Sequence, residues 1–276
     1  MDKSVAQPVL KLTDIRKVFF PGSVDEVRAL NGIDLEVLDG DFISIIGSNG
    51  AGKSTALNLV AGVFPPEKGG RVIINGDDVT YLPEYRHAQY VGRVWQEPSV
   101  GTAPNLTIEE NMSMAVMRGR RRGLRAAVNR KRRERFKTAL STLELGLETR
   151  LNAMVGTLSG GQRQALSLIM ATISRPAILL LDEHTATLDP KTADTVMTMT
   201  ERIIKRDNMT AMMVTHNMEM ALRYGNRLIM MHEGRLVVDI RGEEKNKLAV
   251  QDLIDAFTRA CGESFIDDKV LLCKPA

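Results

Sequence analysis

Nine consecutive residues, Gly47-Ser48-Asn49-Gly50-Ala51-Gly52-Lys53-Ser54-Thr55, limit the folds open to this chain more than any other stretch. They read G-x-x-x-x-G-K-S, the P-loop pattern. The apolar run Phe42-Ile43-Ser44-Ile45-Ile46 leads straight into them, and Ala56-Leu57-Asn58-Leu59-Val60-Ala61 comes next at helical spacing. Gly62 then stands where a helix C-terminus favours glycine. Strand, glycine-rich turn and helix in that order make an anion trap. Successive backbone N–H groups and the positive end of the helix converge on phosphate oxygens. Lys53 is placed to reach β- and γ-phosphates, and the Ser54 hydroxyl to complete a Mg²⁺ shell.

At 276 residues the chain is long enough for one large domain or two modest ones. Val9 to Ile15 alternates like a strand, and Phe19-Phe20-Pro21-Gly22 breaks it. Val27–Leu30 and Ile33–Val37 predict two further strands, so an antiparallel sheet precedes the first helix. Arg71–Ile74 with Asn75-Gly76 predicts a strand and a tight turn. Thr107 to about Leu147 reads as helical, with Ile108, Met112, Ala115 and Val116 on one face and Phe136, Leu140 and Leu143 on another. A second α/β stretch comes after it: a helix from about Gly161 to Ser174, the buried strand Ala177–Leu181, a helix over Lys191–Arg206 and a strand over Thr210–Thr215. Arg227–Met231 and Leu236–Asp239 flank Glu233-Gly234 as a hairpin, and Leu248–Ala260 reads as a last helix. The late methionines, Met197 to Met231, are expected to fill the core.

Cys261 and Cys273 are the only cysteines, so no disulfide framework or zinc site is expected and a reducing compartment fits. The first eight residues lack a signal-peptide layout, and apolar runs such as Ala177–Leu181 are too short to span a bilayer.

Two motifs downstream of the P-loop narrow the chemistry. Leu158-Ser159-Gly160-Gly161-Gln162 opens a helix, and Ile178-Leu179-Leu180-Leu181-Asp182-Glu183 ends an apolar strand on two carboxylates. Asp182 is expected to emerge at the sheet's C-terminal edge, where it can hold Mg²⁺ through water. Glu183 is placed to orient and deprotonate an attacking water. Ser159, Gly160 and Gly161 make a second small anion nest at a helix N-terminus.

These residues resemble the ATP-binding cassette (ABC) ATPases. Leu158 to Gln162 is similar to their signature, Ile178 to Glu183 to their Walker B strand, and the match in order and separation runs over about residues 9 to 240. The resemblance puts Gln96 at the Q-loop, Leu188-Asp189 at the D-loop and His216 at the switch histidine. It implies an α/β P-loop fold with an N-terminal antiparallel β-subdomain and an inserted α-helical subdomain at about 97–170. The ATPase domain would cover 1–245, with a C-terminal helix and tail over 246–276.

The resemblance also implies ATP and Mg²⁺ as cofactors. Glu183, His216 and Gln96 would be catalytic, and Ser54, Gln96 and Asp182 would serve the metal. Gly47 through Thr55 would hold the phosphates, with Ser159, Gly160, Gly161, Gln162 and Asp189 closing over the ATP of a second copy in a head-to-tail homodimer. Phe19 stands where the family stacks an aromatic ring on adenine, with Phe20 as its rival. Most members place Pro-Thr after the catalytic Glu, whereas this chain has Glu183-His184-Thr185. With Gln96 to Pro104, that variant resembles a bacterial subgroup of amino-acid-type uptake ATPases, aromatic amino acids included. His184 would titrate near the site or replace a rigid loop residue.

The expected setting is the cytoplasmic face of the cell membrane, on transmembrane permease subunits and, through them, a solute-binding protein. No nucleic-acid partner is expected. The rival readings are a non-transport cassette acting on nucleic acid or ribosomes, and a regulatory module that hydrolyses poorly. Arg118 to Lys137 holds eleven basic residues against Glu134 alone, a local excess in a chain of net charge +3. A solvated surface, RNA and anionic headgroups or acidic permease loops are the alternatives for it.

Overall fold

The computed structural model describes residues 7–119 and 129–261. The first half runs β1 (Leu10–Phe19), β2 (Val27–Val37), β3 (Phe42–Gly47), α1 (Lys53–Val60), β4 (Arg71–Ile74), β5 (Asp77–Asp78), α2 (Glu84–His87), β6 (Val91–Val94) and α3 (Ile108–Val116). The second runs α4 (Arg130–Ser141), α5 (Gly160–Thr172), β7 (Ile178–Asp182), α6 (Pro190–Asp207), β8 (Ala211–Val214), α7 (Met218–Arg223), β9 (Arg227–His232), β10 (Arg235–Arg241), α8 (Gly242–Asn246) and α9 (Val250–Cys261).

Two sheets result. One is antiparallel, in the order β2-β1-β4-β5, and the other is six-stranded, in the order β10-β9-β3-β8-β7-β6. In the second, β6, β7, β8, β3 and β9 are parallel and β10 closes one edge antiparallel to β9. Alternation along β7 explains why such strands are apolar throughout. Ile178 and Leu180 face the N-terminal sheet and α1, whereas Leu179 and Leu181 face α5 and α6. Helix α1 therefore lies between the sheets with its N-terminus at the parallel sheet's C-terminal edge, the edge at which β3 and β7 both end.

The paired strands expected over 27–30 and 33–37 are one continuous strand. Asp14 (φ 43°) and Gly32 (φ 82°) take left-handed conformations where the β1–β2 register shifts, so the chain bulges instead of turning. The Asn31 N–H donates to Gly234 O at 2.8 Å, which ties the bulge to the β9–β10 turn. The Asn75-Gly76 turn is as expected, both residues having positive φ.

The helical stretch expected over 107–147 comprises two helices among the described residues. Thr107 and Glu110 form a reciprocal capping box at the start of α3, and the Asn129 side chain caps α4. The expected apolar faces are buried: Ile108, Met112, Phe136, Leu140 and Leu143 pack with α5 and α6 in one cluster. Helix α6 begins on Asp189 with Pro190 at its first turn and ends on Asn208 in the left-handed region. Helix α9 joins the fold through Leu253, Ile254 and Phe257, which pack on Ile46, Met218 and Leu228. Met197, Met199, Met212, Met213, Met218, Met230 and Met231 are buried, as core filling requires.

Candidate active site

The glycine-rich turn is enforced by its surroundings. A Cβ at Gly47 (φ 154°) would stand 2.2 Å from Met231 O, and one at Gly52 (φ 93°) 2.4 Å from Ala29 O. Both positions thus demand glycine on conformation and on space. Helix α1 starts with no side-chain cap and no acidic residue in its first turn, which leaves its positive end open to an anion. Lys53 is buried, its ammonium donating to Gly47 O and Ser48 O at 2.8 Å each. A glycine turn locked in place by its neighbours, opening an uncapped helix and with an ammonium folded against it, fits a phosphate chain.

Asp182 ends β7 beside this turn. Ser54 Oγ donates to Asp182 Oδ1 at 3.4 Å, joining the P-loop helix to the carboxylate. The other oxygen, Oδ2, accepts from Arg93 Nη2 at 2.8 Å. Arg93 lies in β6, its Nη1 donates to Asn58 Oδ1 at 2.7 Å, and its guanidinium stacks on Trp95, 3.5 Å from the ring centroid. Burial lowers the Arg93 pKa, and the hydrogen bond and charge of Asp182 oppose that shift. Sequence reasoning missed Arg93. A lone arginine in the strand Val91-Gly92-Arg93-Val94 was the available signal, since a charge in a buried strand needs a counter-charge.

Glu183 comes next in a left-handed conformation (φ 44°), and its N–H donates to Val214 O at 3.1 Å. A non-glycine residue held there costs about 1–3 kcal/mol, a cost the surrounding fold must impose. The turn brings its carboxylate to His216, with Nε2 and Oε1 2.5 Å apart. His216 lies just after β8, the neighbour of β7, so the sheet itself places this pair. Gln96 is exposed just beyond β6, and its main-chain oxygen accepts from Thr187 Oγ1 at 3.4 Å.

Ser159 caps α5 in a reciprocal box: the Gln162 N–H donates to Ser159 Oγ, and the Ser159 N–H to Gln162 Oε1, each at 3.2 Å. A Cβ at Gly160 would meet Leu188 first, and one at Gly161 would meet Thr192. The Ser159–Gln162 turn therefore packs on the start of α6, where Asp189 accepts from the Thr192 N–H at 3.1 Å. The hydrogen bonds from Thr192 hold the Asp189 carboxyl below the usual carboxylate range. Phe19 packs edge-to-face on Phe64 at 5.3 Å with the Lys17 ammonium near both rings, while Phe20 is exposed.

Of the two alternatives for His184, the structure favours replacement of a rigid loop residue, since burial pushes its pKa down to about 4. Thr200 Oγ1 donates to Val196 O, so His184 Nε2–H donates to that hydroxyl at 3.2 Å and the ring serves α6 packing. Most described residues of the basic stretch are exposed, and several are paired. Arg133 makes a bidentate pair with Glu109, Arg135 donates to Ile173 O, and Lys137 pairs with Glu134. Arg120, Arg121, Arg122 and Arg125 lie outside the described residues.

A family model described as "ABC transporter" matches residues 30–186, more than half of the chain. This chain belongs to the ABC transporter ATP-binding proteins. It is 42% identical over 253 residues to a tyrosine transport ATP-binding protein of Clostridioides difficile, covering 91% of this chain and all of that one. It is 32% identical to the methionine import ATP-binding protein MetN of Rhizobium johnstonii, over 85% of this chain and 61% of that relative's length. Among solved structures, a dimeric post-hydrolysis state of the ATP-binding cassette MJ0796 bound to ADP and Pi superimposes with a TM-score of 0.71 at 29% identity. It covers 84% of this chain and 98% of that one. The ADP conformation of the cassette MJ1267 superimposes with a TM-score of 0.72 at 26% identity, covering 91% and 98%. The chain is thus an ABC-type ATP hydrolase with the α/β cassette fold expected from sequence. Among the described residues no helix is long and apolar enough to cross a membrane.

Proposed function

We propose that this ABC ATPase is the Mg²⁺-dependent motor subunit of a bacterial importer for a small amino-acid-type solute, aromatic amino acids foremost. The observation that carries the chemistry is the cluster beside the P-loop: Ser54, Asp182, Glu183 and His216 gathered at one sheet edge. The tyrosine-transport relative supports the solute class.

In this reading Gly47 to Thr55 wraps the phosphates. Lys53 exchanges its two carbonyl partners for β- and γ-phosphate oxygens, a charge-assisted pairing stronger than the one it leaves. Ser54, Asp182 and Gln96 would hold Mg²⁺, which supplies charge neutralisation at the phosphates. Glu183 orients the attacking water and accepts its proton. His216 has a single Nε2–H, which rests on Glu183 in this structure. Redirecting that N–H as a hydrogen bond to a γ-phosphate oxygen, with the proton staying on the ring, frees the Glu183 carboxylate to act as base, so substrate binding and base release are one exchange. Phe19 stacks on adenine. Ser159, Gly160, Gly161, Gln162 and Asp189 face the ATP of a second copy, and the dimeric cassette relative supports that geometry.

We assign the ATPase domain to 1–245, with the helical subdomain at 97–170 and an appended helix and tail at 246–276. The dimer would work on the cytoplasmic face of the membrane, docked on two permease subunits served by a solute-binding protein. The test is uptake by proteoliposomes holding the complete complex. Tyrosine or tryptophan should be accumulated only with internal ATP. Retention of ATPase activity with no uptake of any amino acid would overturn the solute assignment.

A further inference from the structure

The Arg93 guanidinium touches three parts of the fold at once. One nitrogen is on Asp182 at 2.8 Å, another on Asn58 of α1 at 2.7 Å, and its flat face lies 3.5 Å from the centre of Trp95. Both members of the ion pair are nearly buried, with side chains 9% and 13% exposed. Trp95 is bound in turn: its carbonyl accepts from Gln164 Nε2 of α5 at 3.1 Å, and Gln164 is fully buried. Trp95 also immediately precedes Gln96 and, with Arg93, Glu84 and Arg118, lines a cleft of about 160 Å³. One cation therefore connects the proposed metal position to the segment leading into the helical subdomain and to the helix that begins at Ser159.

We propose that Arg93 is a positioning residue that couples divalent-cation occupancy at Asp182 to the Trp95–Gln96 segment, by sharing one guanidinium between the carboxylate and the indole. The proposal rests on the Mg²⁺–ATP reading of the site and adds a route out of it. Without a divalent ion, Arg93 is the cation paired with the Asp182 carboxylate, whose Oδ1 lies toward Ser54. A divalent ion held by Asp182 would draw on the same carboxylate charge and so weaken the Arg93 pair. The guanidinium is then held by Asn58 and Trp95 alone and reorients over the indole. Because the Trp95 backbone is fastened to α5, that adjustment moves the start of the Gln96 segment and α5 together.

Trp95 is the only tryptophan in the chain, so its emission reports the stack directly. The experiment uses the full chain with a non-hydrolysable ATP analogue, in EDTA or in Mg²⁺. Nucleotide retention is measured separately by equilibrium dialysis. Mg²⁺ should add a change in Trp95 emission beyond that of nucleotide alone. Arg93→Met should abolish the Mg²⁺-dependent part and lower the half-saturating Mg²⁺ about three- to tenfold, because the competing cation is gone. Its kcat should fall while KM for ATP stays close to wild type. Arg93→Lys keeps the charge and should return the half-saturating Mg²⁺ to within roughly twofold of wild type. A Trp95 response identical with and without Mg²⁺ would overturn the coupling, even if Arg93→Met fails to fold. Unchanged Mg²⁺ half-saturation in Arg93→Met would overturn it as well. If the wild type retains no nucleotide in dialysis, the ATPase reading falls and takes this proposal with it.

Discussion

Replacing Glu183 by Gln tests the centre of the proposed chemistry. The amide keeps the length and shape of the carboxylate, and its oxygen still accepts from His216 Nε2–H across the 2.5 Å contact. The left-handed backbone at φ 44° suits Gln as well as Glu, so the fold has no reason to shift. Only proton acceptance disappears. A positioned base contributes about 10²–10⁴-fold in rate, equivalent to roughly 2.7–5.5 kcal/mol of barrier. Steady-state ATP hydrolysis should fall by that factor, while nucleotide binding measured by dialysis stays within roughly twofold, because Lys53 and the glycine turn are untouched. ATP should then hold two copies together, visible as a dimer by size-exclusion chromatography with multi-angle scattering. Adding His216→Ala to Glu183→Gln should cost little further activity, since both residues act on one chemical step and their effects do not add. A Glu183→Gln protein that turns over within about tenfold of wild type would remove Glu183 from the role of base.

The elements most legible in the sequence are those whose residues leave the chain no choice. Gly47 and Gly52 are required by both φ and close backbone approach, and the apolar β7 ending in Asp182-Glu183 can only be a buried strand opening at the sheet edge. Caps are equally readable: Ser159 with Gln162, and Asp189 followed by Pro190, mark helix starts by chemistry rather than by pattern. The continuous β2 is not readable, because the break at Asn31-Gly32 is a bulge sustained by Asp14 on the partner strand, far off in sequence. Arg93 is hidden for a related reason. Its meaning lies in Asp182, Asn58 and Trp95, three neighbours that only the parallel strand order and α1 bring together. The same holds for Arg133 and Arg135, which read as surplus charge until Glu109 and Ile173 O are seen beside them. Local chemistry survives in a sequence, whereas partnership across elements does not.

If the Ser159 turn serves the opposite copy, Lys53→Ala and Ser159→Arg should each lose nearly all activity alone yet regain a fraction when mixed, because one interface then pairs an intact P-loop with an intact turn. Tagged heterodimers with no recovery would count against the shared site. The last expectation concerns His184, which the fold holds neutral with its pKa lowered from 6.5 to about 4 by burial alone. A histidine whose folded pKa is depressed binds its proton more readily in the unfolded chain, so acid favours unfolding. Its contribution is complete above the unfolded value of 6.5, declines as pH falls below it, and is gone near the folded value of about 4. At 1.36 kcal/mol per pKa unit the whole loss is about 3 kcal/mol. His184→Leu removes the titration and leaves the Thr200 hydroxyl bonded to Val196 O, so the helix keeps that contact. Urea unfolding at several pH values between about 7 and 4 should therefore show wild type losing about 3 kcal/mol more than the variant, most of it below pH 6.5. Parallel pH curves for the two proteins would mean that His184 is not held neutral, and that water reaches the ring and solvates its charge.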